Sequence, residues 1–485
     1  MRLGQTSLVV FASRLLGSAL SFLAMLYFAR TLGAEAFGVY GLVLTVVAWL
    51  KLGGSMGIGS ALTKRISEGD EQGAFLSAGL VSVLGFGLVA SLAVVVGKGL
   101  LEAYIGSFET YVAVSVVWVV VGLLLIRLFY TVVMNVLEGE RKVHVAAVLD
   151  PIKFGTRSVI QIGLLLAGFG LAGMLIGYAI GGILIGLLGV AYVAVPLRRP
   201  ARRHFRSLYE YARYSWLGTL KTRSFNDLDV LLLGVFVNEA LVGIYLAAWN
   251  VSKFLDLFSG AIESTLFPEI SRHAERGDAE ATRGLIEDSL TFAGLIVVPG
   301  LFGGLLVGER LLAVYGPEFR EGTTVLGLLL LGVLLYAYQK QLLNALNAID
   351  RPDVSFRINL VFLATNATLN IVLIRQYGIV GAAVATVASV CVGVSLSYAA
   401  LRGLVAFTMP IREIGRQLIA AGVMAIVVLG AREAGEGTVV GAVNEAFVIL
   451  LVGLGAGVYV LVLLAISTTF RDTVRRNAPV DVPFL

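Results

Sequence analysis

An all-α polytopic membrane protein is what this sequence predicts: about 14 transmembrane helices, arranged as two six-helix lobes related by a parallel internal repeat, with two further helices after them. Three features point to it. Only 14% of the 485 residues are charged and 58% are hydrophobic, where an ordinary soluble domain carries about 25% charged residues. Apolar stretches of about 20 residues, the length that crosses a bilayer core, recur along the whole chain. Short motifs also recur in one order at an offset of about 205 to 209 residues. A mean hydropathy of +0.90 leaves too little polar surface for several soluble domains, which sets soluble enzymes aside. The 57 Gly against 10 Pro suit membrane helices, whose backbones approach through small residues. The single cysteine, Cys391, permits neither an internal disulfide nor a thiolate metal site.

The first span, 6–29, carries Ser7, Arg14, Ser18, Ser21 and Met25 on one stripe at helical spacing, so Arg14 belongs to a polar face. Its length and its continuation into more membrane segments make it a retained helix rather than a signal peptide. Spans 36–63, 74–97 and 107–136 are apolar throughout most of their length. The fifth, 143–168, contains Asp150-Pro151, where the missing N–H loosens the backbone. The sixth, 170–196, carries Gly173, Gly177 and Gly181, small-xxx-small steps that read as a close helix contact. The seventh, 209–236, holds Lys221, Thr222, Arg223, Asn226, Asp227 and Asp229 at its middle and must face protein or water. Spans 240–267, 284–307, 322–348, 355–375 and 378–401 complete the second lobe, and 412–432 and 443–467 follow it. Pro268 and Pro299 loosen or end helices there.

The repeat is visible in four places. Glu35-Ala36-Phe37-Gly38-Val39-Tyr40 corresponds to Glu239-Ala240-Leu241-Val242-Gly243-Ile244-Tyr245, and Ser60, Leu62, Ile66 and Ser67 to Ser264, Leu266, Ile270 and Ser271. Asn135-Val136-Leu137 and Asn344-Ala345-Leu346 are each followed by an acid-Arg pair, Glu140-Arg141 and Asp350-Arg351. Phe169-Gly170-Leu171-Ala172-Gly173 matches Tyr377-Gly378-Ile379-Val380-Gly381. An even number of helices per repeat gives both copies the same orientation, with an axis along the membrane normal. The expected organisation is an N-terminal lobe over 1–197, a basic cytoplasmic linker over 198–208, a C-terminal lobe over 209–404, and two extra helices with a tail over 405–485. Arg198, Arg199, Arg202, Arg203 and Arg206 recur in the linker at helical spacing, as in a helix on anionic headgroups or a solvated basic loop.

Of the 37 Lys and Arg, twenty fall in the N-terminal segment, every second loop and the C-terminal tail. Only Arg30, Lys98, Arg310, Arg320, Arg375 and Arg432 fall in the opposite loops. The positive-inside rule then places both termini in the cytoplasm, with the chain in the cell (plasma or inner) membrane. Eleven cations remain inside helices, against five clear acids, Asp150, Asp227, Asp229, Asp256 and Glu263. Each cation costs about 2.5 to 3.5 kcal/mol at mid-membrane. Arg213, Arg357 and Arg127 lie near cytoplasmic ends, where long side chains snorkel. Arg14, Lys51, Arg157, Lys221, Arg223 and Lys253 sit deep, three in each lobe, and are the expected substrate-binding residues of a central cavity. Because Arg presents a fork that matches phosphate, a phosphate or pyrophosphate is the natural ligand. Asp227 lies four residues from Arg223 and Asp256 three from Lys253, spacings that favour ion pairs. Asp227, Asp229 and Asp256 are also the candidates for binding a coupling ion.

No Gly-rich loop ending in Lys-Ser or Lys-Thr occurs, so ATP hydrolysis by a P-loop is not expected. His144, His204 and His273 are isolated, and neither metal, cofactor nor catalytic residue is indicated.

Several ordered segments resemble a known family: Arg30-Thr31-Leu32-Gly33 with Phe37-Gly38-Val39-Tyr40-Gly41-Leu42, Asp229-Val230-Leu231-Leu232-Leu233-Gly234 with Val242-Gly243-Ile244-Tyr245 and Ala247-Ala248, Phe267-Pro268-Glu269-Ile270-Ser271, and Gly378-Ile379-Val380-Gly381-Ala382-Ala383-Val384-Ala385-Thr386. They are similar to the polysaccharide-biosynthesis flippases of the multidrug/oligosaccharidyl-lipid/polysaccharide exporter superfamily. The resemblance implies a twelve-helix core with two extra helices and alternating access. It further implies movement of a polyprenyl-phosphate or pyrophosphate-linked sugar from the cytoplasmic to the outer leaflet, for surface polysaccharide or glycoprotein glycan assembly. The expected partners are that anionic lipid-linked glycan, membrane lipids and glycan-assembly enzymes, with no nucleic acid. The alternatives are a secondary exporter of a soluble organic anion or drug, a non-transporting scaffold of envelope assembly, and, least supported, an enzyme.

Overall fold

A computed structural model describes residues 3–55, 57–438, 441 and 443–477, with side chains outside the described set at 1–19, 53–56, 150, 214–219, 221, 222, 226, 257, 261 and from 476 on. Every element among the described residues is a helix. In chain order these are α1 (Leu3–Ser55), α2 (Ile58–Ser67), α3 (Gln72–Val96), α4 (Lys98–Tyr104), α5 (Phe108–Tyr111), α6 (Val116–Gly139), α7 (Val143–Leu166), α8 (Gly170–Val190) and α9 (Arg202–Phe236). There follow α10 (Glu239–Glu275), α11 (Ala279–Ala293), α12 (Val297–Ala313), a 3-10 turn (Pro317–Gly322), α13 (Thr323–Ala348), α14 (Pro352–Arg402), α15 (Ile411–Gly435), α16 (Asn444–Ile466) and α17 (Thr468–Asn477).

Ten helical segments among the described residues are long and apolar enough to cross a membrane. Leu88, Leu92 and Val96 on α3 and Ile449 and Leu461 on α16 face outward, a surface that only lipid solvates favourably. The chain is a multi-pass membrane protein. The 51 residues of α14 would run about 77 Å as one rod, far beyond a bilayer core. Gly378 divides it, with φ 56° and ψ −134°, and Gly33 divides α1 in the same way at φ 79°. Helix α7 runs through Pro151 without a break. The single span read over 36–63 is interrupted after Ser55, where Gly57 takes φ 77°, and the one over 284–307 is interrupted between Ala293 and Val297. Pro299 lies in the first turn of α12, where its missing N–H costs nothing.

The repeat extends to backbone detail. Gly170 and Gly378 both have positive φ, 51° and 56°. Arg141 and Asp350, two of the few non-glycine residues in the left-handed region, have φ 61° and 58°. Each ends its helix in a Schellman motif: the Lys142 N–H donates to the Leu137 carbonyl at 2.9 Å and the Arg351 N–H to the Leu346 carbonyl at 2.9 Å.

The chain divides into two compact units, Met1–Gly243 and Ile244–Leu485. In the first, α1 packs against α3, α6, α7, α8 and α9, and α9 also meets α2 and α3. The backbone of residues 34–38 lies directly on that of 239–243: a Cβ on Gly38 would sit 1.8 Å from the Glu239 carbonyl oxygen, and one on Gly243 1.9 Å from that of Ala34. The segment before α9 is pinned to the start of α3. A Cβ on Gly73 would meet the Pro196 oxygen at 2.1 Å, and the Arg198 N–H donates to the Gly73 carbonyl at 3.2 Å. His204 accepts the Ala201 N–H on Nδ1 at 2.8 Å and donates from Nε2 to Glu71 at 2.9 Å, while Arg203 pairs with the same carboxylate. Those hydrogen bonds, from His204 first and then Arg203, hold the Glu71 carboxyl below the ordinary glutamate range. In the second unit, α12 packs against α13, α15 and α16, and α13 against α14. Gly393 of α14 receives Gln339, whose Nε2 lies 2.1 Å from the position of a Cβ.

Gly38→Ala and Gly243→Ala are each expected to destabilise by about 1 to 3 kcal/mol or more, read as a lower Tm and less monodisperse protein. Gly85→Ala, where nothing lies within 4 Å, should be neutral or slightly stabilising. The anchor formed by Glu71 has a pH signature. A depressed carboxyl contributes stability above its unfolded pKa and loses it as pH falls through the folded value. Hydrogen exchange of residues 197–203 should therefore quicken only below the ordinary carboxylate range, and Glu71→Gln should show that fast exchange at neutral pH.

Candidate functional site

Polar side chains converge where α1 meets α6, α7 and α9 in the first unit. Lys51 on α1 is acted on by three other cations, Arg127 of α6, Arg223 of α9 and Lys153 of α7. Arg157, one turn beyond Lys153, acts with Arg127 on the buried Tyr40 hydroxyl. All five cations are half-buried.

The surrounding helices hold these heads in place. Arg157 donates to Ser21 Oγ at 3.2 Å and lies 5.3 Å from the Tyr178 ring centre and 5.4 Å from that of Phe154. Lys153 sits 4.0 Å over the Tyr130 ring. Such contacts with aromatic faces stabilise a cation by about 0.5 to 2 kcal/mol, more as it is desolvated. The glycine series of α8 has its reason here. A Cβ on Gly181 would stand 2.9 Å from Arg157 Cβ, and one on Gly177 2.6 Å from Gln161 Cγ. Gln161 then ties the pair of helices by donating to the Met174 carbonyl at 2.7 Å and to the Tyr40 hydroxyl at 3.1 Å.

Arg223 is paired with Asp227 one turn on, as their spacing leads one to expect. Asp229 is buried, with 7% of its surface exposed. The side chains of Arg14 and Lys221 lie outside the described residues. Lys253 belongs to the second unit and is exposed there. Asp256 takes a partner from another helix, Lys340 of α13 at 3.5 Å, which also reaches Glu263 at 3.6 Å, while Lys253 acts on it through space. Charge in this second cluster is close to balanced. Among the described residues of the first cluster cations predominate.

Two members of the cationic group, Arg127 and Lys153, are absent from the sequence-derived set. Arg127 is the twelfth of the 24 residues of α6. The span read over 107–136 begins too early because 98–111 form the short helices α4 and α5, and the early start pushes Arg127 toward an end. The pattern of a cation one turn before Arg157 is the signal that finds Lys153.

The polysaccharide biosynthesis protein family matches residues 27–322, more than half of the chain. The chain belongs to this family. Two similar proteins come from Haloferax volcanii. The probable flippase AglR is 32% identical over 481 residues, 98% of each chain. The probable low-salt glycan biosynthesis flippase Agl15 is 29% identical over 485 residues, 98% of this chain and 99% of its own. The fold is that of the lipid II flippase MurJ in its inward closed conformation, with a TM-score of 0.76 at 17% identity over 96% of this chain and 100% of that one.

Asp227→Asn removes the acid paired with Arg223. The variant is expected to melt at lower temperature than the wild type and to be stabilised more by added inorganic phosphate, measured as the shift in Tm across a phosphate titration. Equal phosphate shifts in both proteins would mean that Asp227 does not set the charge of the cluster.

Proposed function

We propose that the protein is a flippase that carries a polyprenyl-phosphate or pyrophosphate-linked sugar from the cytoplasmic to the outer leaflet by alternating access. The observation that carries this reading is the half-buried group of Lys51, Arg127, Lys153, Arg157 and Arg223, with Asp227 paired to one member. Like charges within coulombic reach in a membrane interior repel one another, and an oxyanion relieves that repulsion while taking bidentate hydrogen bonds from the arginines. The names of AglR and Agl15 agree with it.

In this reading Lys51, Arg157 and Arg223, with Arg14, Lys221 and Lys253, bind the phosphate headgroup. Arg127 and Lys153 join them, and no covalent chemistry is required. Asp227 and Asp256 serve as counter-charges to Arg223 and Lys340; ion coupling by Asp227, Asp229 or Asp256 is the second role open to them. The twenty-to-six distribution of loop cations supports cytoplasmic termini in the cell membrane. The repeated segments support a layout of lobes over 1–197 and 209–404, a linker over 198–208 and an appendix over 405–485. Glycan-assembly enzymes are the proposed protein partners.

Purified protein in liposomes should move a fluorescent polyprenyl-diphosphate sugar across the bilayer and leave it covalently unchanged. Lys51→Gln, Arg157→Gln and Arg223→Gln should each lower the initial rate by about tenfold to a hundredfold, equivalent to about 1.4 to 2.7 kcal/mol, at equal amounts of folded protein. Undiminished lipid transport in all three variants would remove the phosphate-binding role. Transport of a soluble organic anion in preference to the lipid-linked sugar would favour the exporter reading.

A further inference from the structure

A second concentration of arginine lies away from the cluster described above, at the C-terminal ends of α12 and α15. A cavity of about 360 Å³ opens there, lined by Glu309, Arg310, Arg320, Arg432, Glu436 and Asn444. Three of the six loop cations read from the sequence as facing opposite the termini, Arg310, Arg320 and Arg432, thus share one cavity. Glu436 Oε1 accepts from Arg310 Nη2 at 3.2 Å and from Arg432 Nε at 3.0 Å. One carboxylate therefore fixes the spacing of two guanidinium groups. Further contacts hold the frame: Arg432 Nη1 donates to the Leu306 carbonyl at 2.8 Å, Asn444 Nδ2 to the Arg310 carbonyl at 2.9 Å, and the Arg310 guanidinium lies 5.0 Å from the Phe447 ring centre. Among the described residues the guanidinium of Arg320 has no hydrogen-bond or acidic partner. The lining carries three cations against two acids, and α16 begins at Asn444, so the positive end of its dipole lies at the wall.

The corresponding place in the first half has the opposite character. The residue in register with Arg310, at the offset that relates Gly170 to Gly378, is Glu102, which pairs with Lys98 at 3.6 Å. The arginine cavity arises only where the unrepeated helices α15 and α16 pack on α12.

We propose that this cavity is an oxyanion site that takes a phosphate group, with Arg320 as the ligand-seeking arm and Arg310 and Arg432 as the preset pair. The phosphate belongs either to the headgroup of an anionic lipid or to a water-soluble molecule. Phenylglyoxal modification of the full-length protein, followed by mass spectrometry of the Arg320 peptide, tests it without a variant. Arg375, exposed and outside the cavity, is the internal reference. Inorganic phosphate in zwitterionic nanodiscs slowing Arg320 modification by about tenfold, with Arg375 unchanged, supports the site with a soluble ligand. The same slowing by phosphatidylglycerol nanodiscs alone supports it with a lipid headgroup. In either case Arg432→Gln should abolish the protection. Modification of Arg320 at one rate under all conditions, or protection equal to that of Arg375, overturns the proposal.

Discussion

A charge that enters the hydrocarbon layer must bring its own solvent, and much of the first unit is shaped by that demand. Ser21 of α1, Tyr178 of α8 and Phe154 of α7 supply Arg157 with a hydrogen bond and two aromatic faces. Tyr178 reaches it because α8 approaches α7 through Gly177 and Gly181, which leave no room for a Cβ. Gln161, buried between them, makes the same close approach serve as a hydrogen-bonded tie. The polar middle of α9 completes the enclosure by bringing Arg223 toward Lys51. Glycine content, helix pairing and charge placement are thus one arrangement.

The repeat sets the frame within which that arrangement is asymmetric. Gly170 and Gly378, and Arg141 and Asp350, show that the two halves turn at matching positions by matching backbone geometry. Side-chain charge does not follow the repeat. Among the described residues the first cluster gathers cations, whereas in the second Lys340 is matched by Asp256 and Glu263. The helices outside the repeat add a further difference, since the arginines at the end of α12 acquire their partners from α15 and α16.

Much of the fold was legible because lipid leaves a plain record in composition: a helix that faces hydrocarbon has few ways to be polar. The spans over 74–97, 143–168, 322–348 and 412–432 match α3, α7, α13 and α15 to within three residues at either end. The turn after Leu137 and its counterpart after Leu346 were visible as an acid-Arg pair, although not as left-handed residues. Breaks inside apolar stretches were less legible: Gly294, Leu295 and Ile296, between α11 and α12, are as apolar as their neighbours. The site was legible in part. Arg223 and Asp227 share one helix turn, which spacing reveals. The meeting of Lys51 with Arg127 and Lys153 joins three helices distant in sequence, and Asp256 prefers a lysine 84 residues away to the one three residues before it.

Membrane class, the order of the apolar segments, the repeat and the excess of cations within helices follow from the sequence alone, because each is a property of composition, period or local spacing. Which cations stand together, which acid neutralises which, and where α9 packs were decided by tertiary structure. The reason is physical: a Coulomb interaction depends on distance through space, and helices of similar hydropathy become neighbours through side-chain fit, such as a glycine face against Arg157, that no count of charges contains.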